Sequence, residues 1–193
     1  AGFSIEGVEV RDASISWDDR KSGQKYTISE LSLTTGAIAP GRPVGVELSM
    51  LLQSSEPALK AQVGLAGTMQ VDDAQKLFGM NDLRLSVDAQ GADLPNGRLK
   101  ADLATAFSMS MDGDRIVLQG LHLTSGSLDL KGNLNGSRLG SGSPLINGSL
   151  ELAEFNPREW MVSQGMQVPA TSDPKALERL AASLNLVAKG TST

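Results

Sequence analysis

The sequence predicts a mainly β fold: a long antiparallel meander, with two short helices near the C-terminal end. Three observations lead to this prediction. Apolar residues occupy every second position through most of the 193 residues, which is the period of a β-strand. Turn-forming residues separate the alternating runs. Several runs are also much longer than the strand of about 5 to 6 residues that is usual.

The first half of the chain consists of such runs joined by turn signals. The turn sequences are APGRP, SSEP, LPNG and MDGD, and an Asp-Gly pair between alternating runs is a strong hairpin signal. An antiparallel meander is therefore expected here. The apolar positions are Ala13, Ile15, Trp17, Tyr26, Ile28, Leu31, Leu33, Val44, Val46, Leu48, Met50, Leu52, Leu59, Ala61, Val63, Leu65, Met69, Val71, Leu83, Leu85, Val87, Leu99, Ala101, Leu103, Phe107, Met109 and Met111.

From Arg115 to Leu152 the predicted strands are shorter and contain glycine. The alternation changes phase at Gly120, because Leu118 and Leu121 are separated by an odd number of positions. A β-bulge produces such a change by inserting one residue into a strand. We therefore expect the sheet to bend at this point.

Two short helices are predicted within a helical insert at about 155–182. In the first, Asn156 is a suitable N-cap and Pro157 suits the first helical turn. In the second, Asp173 or Ser172 would cap and Pro174 would begin the helix. Its apolar stripe would consist of Leu177, Leu180, Ala181 and Leu184.

The length of the strands leaves two architectures open. The run 59–71 would span about 43 Å as a strand, and two short helices cannot cover such strands. The sheet either packs on itself as a closed sandwich or curls into a groove with a partly open lining. Alternation alone shows that a face is buried, and it does not show what buries it.

The chemistry of that lining favours acyl chains as the ligand of an open groove. The inward positions are mostly Leu, Val, Met and Ala, and aromatic residues are only 4% of the chain, so the wall offers no polar atoms to orient a ligand. At about 0.8 kcal/mol per buried methylene, an acyl chain of ~16 carbons would gain on the order of 12 kcal/mol on leaving water. That gain is enough to hold a lipid.

Several classes of function are disfavoured. The net charge of -5 and the dispersed Lys and Arg residues argue against nucleic-acid binding. There is no Cys, and His122 is the only His, so no metal site is expected. Acidic pairs such as Asp112 and Asp114 fall in predicted turns, where Asp bonds its own backbone. We find no catalytic motif, and therefore predict a protein that is not an enzyme and needs no cofactor.

Several stretches of the chain resemble the AsmA proteins of Gram-negative bacteria. The resemblance extends from about Val8 onward and is most specific in three places. These are the Trp17-Asp18-Asp19 tripeptide, the segment 36–43 (GAIAPGRP) and the segment 155–180, which begins FNPREWMVSQG. AsmA-like proteins are understood as elongated β-grooves related to the eukaryotic bridge-like lipid transfer proteins. The resemblance therefore implies that the meander curls into an elongated groove instead of closing as a sandwich.

The resemblance implies a location and a function. It implies a single segment, 1–193, of a longer periplasmic protein anchored to the inner membrane through a helix absent from this chain. It also implies a role in phospholipid transport and outer-membrane biogenesis. The sequence itself shows no signal peptide or membrane-spanning run. The alternative is a closed β-sandwich scaffold that docks other envelope assembly proteins.

Strand phase alone selects the residues expected to contact lipid, since no family motif defines them. They are Ile15, Trp17, Ile28, Leu31, Leu33, Leu48, Met50, Val63, Leu65, Leu85, Val87, Leu103, Phe107 and Met109. We expect them on one concave face, in contact with acyl chains, while the headgroups stay in water.

Overall fold

A computed structural model of the chain describes residues 4–21, 23–173 and 175–190. They form one antiparallel sheet of ten strands, in which each strand pairs with its neighbours in sequence. The predicted meander is confirmed. The strands are β1 (Glu9–Asp19), β2 (Gln24–Thr35), β3 (Val44–Ser55), β4 (Ala58–Asp72), β5 (Leu77–Gly91), β6 (Arg98–Ser110), β7 (Ile116–Ser125), β8 (Leu128–Ser137), β9 (Leu145–Phe155) and β10 (Leu180–Lys189).

The strands are as long as the alternation predicts. Both β4 and β5 contain 15 residues, and β4 matches the predicted run 59–71 to within one residue at each end. The sheet is open, with β1 and β10 as its edges. The described residues contain no second sheet, so the two layers that a sandwich needs are not formed by this part of the chain.

The pairing register separates the sheet into two chemically different faces. Residues directly opposite each other on antiparallel strands point to the same face. One face carries a row of leucines, one from each of the strands β2 to β9, and we call this set the leucine row and its side of the sheet the apolar face. The leucine row consists of Leu33, Leu48, Leu65, Leu85, Leu103, Leu123, Leu130 and Leu152.

The opposite side, which we call the polar face, carries charged and small side chains. They belong to the residues that alternate with the apolar ones along each strand. One of its rows also crosses the sheet from β2 to β9. Its members are Thr34, Glu47, Ala66, Arg84, Ala104, His122, Lys131 and Glu151. Each strand therefore has one mainly apolar and one mainly polar side, as the period of two requires. Leu51 of β3 is an exception, since it is buried on the polar face.

Little of this sheet is buried. The solvent-accessible surface is 12688 Å², whereas a compact protein of 20.2 kDa exposes about 8,800 Å². Among the described residues no side chain is fully buried, and the buried apolar residues of the strands are Val44, Leu51, Ala61, Ala89 and Leu121. The fold is thus a single layer whose apolar face is covered mainly by its own neighbouring side chains.

Bulges keep the apolar side chains on one face along these long strands. The phase change predicted at Gly120 is confirmed, since its φ is 61° and the β7 to β8 register shifts there. Three further irregularities, at Asp12, Glu30 and Asp82, were not predicted. Each has a φ between 51° and 53° and accompanies a register shift. Without the bulge at Glu30, the two halves of β2 would present their apolar residues on opposite faces.

The first predicted helix is confirmed as α1 (Pro157–Ser163), and it lies against one end of the sheet. The Asn156 side chain accepts a hydrogen bond of 3.1 Å from the Glu159 N–H, which caps the helix. The Trp160 Nε1–H donates to the Ser125 carbonyl at the end of β7, at 3.3 Å. This short helix is therefore fixed to the strand ends and leaves the faces of the sheet open.

The second predicted helix is wrong. The residues 175–177 form a turn, and the chain enters β10 at Leu180. Pro174, the predicted first residue, lies outside the described residues. A helix of this length is marginal by itself, whereas strand pairing with β9 satisfies backbone groups from Leu180 to Lys189. The apolar stripe assigned to a helix instead supplies Leu184 to the apolar face.

Strands β8 and β9 approach each other closely at two glycines. A Cβ atom added at Gly148 would overlap the Asn133 carbonyl oxygen and lie 2.9 Å from the Leu134 side chain. A Cβ at Gly132 would overlap the Ser149 carbonyl oxygen in the same way. By contrast, a Cβ at Gly45 in β3 would meet nothing within 4 Å.

We predict that Gly148→Ala destabilises the sheet and Gly45→Ala does not. Because the backbone of β8 must move away from the added methyl group, Gly148→Ala should lower the free energy of unfolding by about 1–3 kcal/mol. Gly45→Ala should change it by less than about 0.5 kcal/mol. Urea denaturation followed by circular dichroism measures both, and equal effects of the two substitutions would contradict the close approach.

An ion pair on the polar face joins β5 to β6. The Arg98 guanidinium donates two hydrogen bonds to the Asp88 carboxylate, at 3.0 Å and 2.6 Å. These bonds hold the pKa of Asp88 below its ordinary value. A carboxylate whose pKa is lower in the folded state stabilises the fold above its unfolded pKa, and this contribution is lost as the pH falls through the folded value.

We predict that the effect of Asp88→Asn on stability depends on pH. The variant should have a lower Tm than the parent near neutral pH, by a small amount because the pair is exposed. The difference should disappear below the lowered pKa of Asp88, where the parent carboxyl is also uncharged. Thermal melts over a pH series measure this difference, and a value independent of pH would contradict the role of the pair.

Candidate functional site

The candidate site is the apolar face, and its main feature is the leucine row. At its two ends the row continues into Val10 of β1 and Ala182 of β10, so all ten strands contribute an apolar residue. With strands about 4.8 Å apart, this line is about 43 Å long. It runs across the strands and contains no polar side chain.

Further apolar rows on both sides widen the leucine row into a band. Phe78 and Phe107 contact each other edge to face, with ring centroids 6.2 Å apart.

Thr105 is a polar exception on this face, and it is buried. Its hydroxyl donates to the Gln119 carbonyl at 3.0 Å. One flanking row consists of Val44, Met69, Met80, Phe107, Leu118, Leu134, Gly148 and Leu186, and another of Ile15, Ile28, Leu52, Ala61, Ala89 and Leu99.

The register places all fourteen residues selected from strand phase on the apolar face. None of them is buried: twelve are half-buried, and Ile15 and Trp17 are exposed to 56% and 68%. The half-buried ones are Ile28, Leu31, Leu33, Leu48, Met50, Val63, Leu65, Leu85, Val87, Leu103, Phe107 and Met109. The leucine row therefore has room for contact with a further molecule along its whole length.

Sequence reasoning missed the part of the face that β7 to β10 supply. Glycines interrupt the alternation there, and the first residues of β10, from Leu180 to Leu184, were assigned to a helix although a strand was predicted to follow from Leu184 to Val187. A signal was nevertheless present, because the triplets LHL, LDL and LEL each hold two leucines on one side of a strand. The additional apolar-face residues are Ile116, Leu118, Leu121, Leu123, Leu128, Leu130, Leu134, Ile146, Leu150, Leu152, Leu184 and Leu186.

The polar face contains a depression of about 590 Å³. Its lining includes the charged side chains of Glu47, Arg84 and Asp102, the small residues Gly64 and Ala66, and four members of the leucine row, Leu48, Leu65, Leu85 and Leu103. The charged and small residues alternate along the strands with these leucines, and the register turns their side chains to the polar face. Because an acyl chain would leave charges and hydroxyls without water here, this depression is unsuited to lipid tails, and the apolar face is the candidate for them.

Within the described ranges, no three His, Asp or Glu side chains come together as metal ligands. On the polar face, two side chains lie close to the Asp129 carboxylate. His122 Nε2 is 3.0 Å from Asp129 Oδ1, and Lys131 Nζ is 3.8 Å from the same oxygen. The described part of the chain also includes no helix with the length and hydrophobicity of a membrane span.

Comparison with known proteins identified no relative of this chain. A scan against protein-family models, a search of curated proteins and a search of solved structures each found no match.

We predict that Trp17 is accessible from solvent in the lipid-free protein, in contrast to Trp160. Trp17 is 68% exposed on the edge strand β1, whereas Trp160 is half-buried and packs edge to face on Phe155, at 6.2 Å. Trp160→Phe, which leaves only Trp17, should give a red-shifted emission that acrylamide quenches strongly. Trp17→Phe should give the opposite result, and equal quenching of both variants would show that β1 is covered.

Proposed function

We propose that this chain binds the acyl chains of phospholipids on its apolar face, as a segment of a periplasmic lipid-transfer protein of the AsmA type. The observation that supports this most is the leucine row. It crosses all the inner strands without a polar interruption, and its members are half-buried. A smooth, elongated aliphatic surface of this kind suits a ligand that is itself elongated and aliphatic.

The strength of binding expected on such a surface suits transfer. An acyl chain lying on one side of a sheet leaves about half of its own surface in water. At ~0.8 kcal/mol per methylene, a chain of ~16 carbons would then gain roughly 6 kcal/mol instead of 12. This corresponds to a Kd of about tens of micromolar, which holds a lipid tail out of water and still allows it to leave.

The direction of the leucine row also supports movement of the tails. Each step of about 4.8 Å along it brings the next leucine into the same position. No charged or hydrogen-bonding group in the row would hold a tail at one place. Acyl chains would therefore lie across the strands and exchange one leucine contact for the next, while the headgroups stay hydrated at the margin of the band.

The resemblance to AsmA proteins supplies the cellular part of the proposal. The chain would act in the periplasm, as part of a protein anchored to the inner membrane, in phospholipid transport and outer-membrane biogenesis. It would not be an enzyme, and this segment would need no cofactor. Gradients of lipid or partner proteins would drive transfer, and the apolar face would lower the barrier by replacing water around the tails.

We predict that a charge on the apolar face removes bound lipid. Val63 in β4 lies between Met50 and Val87, so Val63→Asp would place a carboxylate against the tails and cost several kcal/mol. Phospholipid extracted from the purified protein and quantified by mass spectrometry should fall about tenfold or more. Phe107→Glu is a second variant of the same kind, should Val63→Asp not fold.

The matched control is Gln70→Asp, which is exposed on the polar face of the same strand and lies opposite Gly79. It adds the same charge to the same strand, and the lipid content should not change. Equal lipid in Val63→Asp and the parent, with circular dichroism showing that both fold, would overturn the proposal. Parent protein that holds no lipid but captures other envelope proteins would also overturn it, in favour of the scaffold alternative.

A further inference from the structure

The methionines of this chain are concentrated on the apolar face. The sequence contains seven Met and no Cys, so thioethers are its only sulfur groups. Four of the seven lie on the apolar face, on the inner strands β3 to β6. All four residues are half-buried, so a small oxidant can reach them in the lipid-free protein. They are Met50, Met69, Met80 and Met109.

The thioether of Met80 lies directly over the backbone of β4. Met80 is opposite Met69 of β4 and opposite Phe107 of β6. Its side chain extends over Gly67, since a Cβ atom added at that glycine would lie 2.9 Å from Met80 Cγ and 3.1 Å from Met80 Sδ. Gly67 is two residues from Leu65 of the leucine row. The sulfur therefore lies on the surface that an acyl chain beside Leu65 would cover.

A thioether at this place can be converted into a polar group by one reaction. Hydrogen peroxide transfers an oxygen atom to the sulfur: the S–O bond of a sulfoxide forms, the O–O bond breaks, the sulfur loses two electrons and the peroxide is reduced to water. The sulfoxide is polar and chiral, and its oxygen accepts hydrogen bonds. Met69 and Phe107 beside it donate none. A tail laid over the sulfoxide would therefore remove water from it without a replacement.

We propose that Met80 is a site of reversible oxidation, at which hydrogen peroxide converts the apolar face from a form that binds acyl chains to a form that releases them. The inference rests on the lipid binding proposed above and names a modification that regulates it. A bound tail would cover the sulfur, so the peroxide acts on the empty face. Methionine sulfoxide reductases would restore the thioether, with the oxygen leaving as water and two thiols joining as a disulfide.

Protection by lipid is measured on the 193-residue chain by mass spectrometry of its peptides. Lipid-free protein and protein loaded with dipalmitoyl phosphatidylglycerol are exposed to hydrogen peroxide. Lipid at about ten times its Kd should slow the oxidation of Met80 about tenfold. Met166, which is 37% exposed in the segment after α1, should be oxidised at the same rate in both samples. Equal rates at Met80 in protein that holds the lipid, or an unoxidised Met80 beside an oxidised Met166 in the lipid-free protein, would overturn the proposal.

A matched pair of variants isolates the effect of Met80 on lipid content. The first variant replaces the other three apolar-face methionines by leucine, which has a similar volume. It carries Met50→Leu, Met69→Leu and Met109→Leu, and the second variant adds Met80→Leu. Both should hold as much phospholipid as the parent before peroxide treatment. After treatment, the lipid content of the first should fall about tenfold and recover with the reductases, and that of the second should not change.

Met80→Gln gives the same test without an oxidant, because its amide places a polar oxygen in a side chain of similar length. It should hold about tenfold less phospholipid than Met80→Leu. Lipid retained by Met80→Gln, or by the first variant once its Met80 is oxidised, would overturn this inference and leave lipid binding in place. Parent protein that holds no phospholipid before any peroxide treatment would overturn lipid binding itself, and this inference with it.

Discussion

The structure depends on one constraint, the register that aligns a leucine from each inner strand. Side chains alternate between the faces with a period of two, so a slip of one residue in any pair would move that strand's leucine to the polar face. The slip would also bring charged residues such as Glu47 and Arg84 among the aliphatic side chains. Apolar contact on one side and hydration on the other therefore both select the same pairing in every hairpin.

The same constraint explains why the sheet has so small an interior. One layer of strands can bury side chains only against each other, and the described part of the chain supplies one short helix, fixed to the strand ends. The apolar face is consequently half-buried along the leucine row and exposed at its edge strands, as at Trp17 and Leu184. An exposed apolar surface of this extent indicates a binding partner, and the row of identical aliphatic contacts favours acyl chains in that role.

Most of this arrangement follows from the sequence, and the exceptions have physical reasons. The alternation of apolar and polar residues along the strands was sufficient to place Leu48, Val63 and Met109 on one face. The bulge at Glu30 was not predicted because no glycine marks it, although Ile28 and Leu31 are three positions apart, the same odd spacing that marks the bulge at Gly120. Residues 172–184 have a helical pattern of apolar positions, but the unpaired edge of β9 offers more hydrogen bonds than an isolated helical turn. Local pattern therefore gave the correct face and missed the tertiary pairing.

The most direct test of the account is to locate bound tails with a phospholipid that carries a photoreactive diazirine at the middle of one acyl chain. After irradiation and proteolysis, mass spectrometry identifies the labelled residues. The account predicts labels on the leucine row and its neighbours in several strands, for example at Leu65, Leu103 and Leu152. Labels on the polar face at Ala66 or Ser86, or a protein that takes up no label, would contradict it.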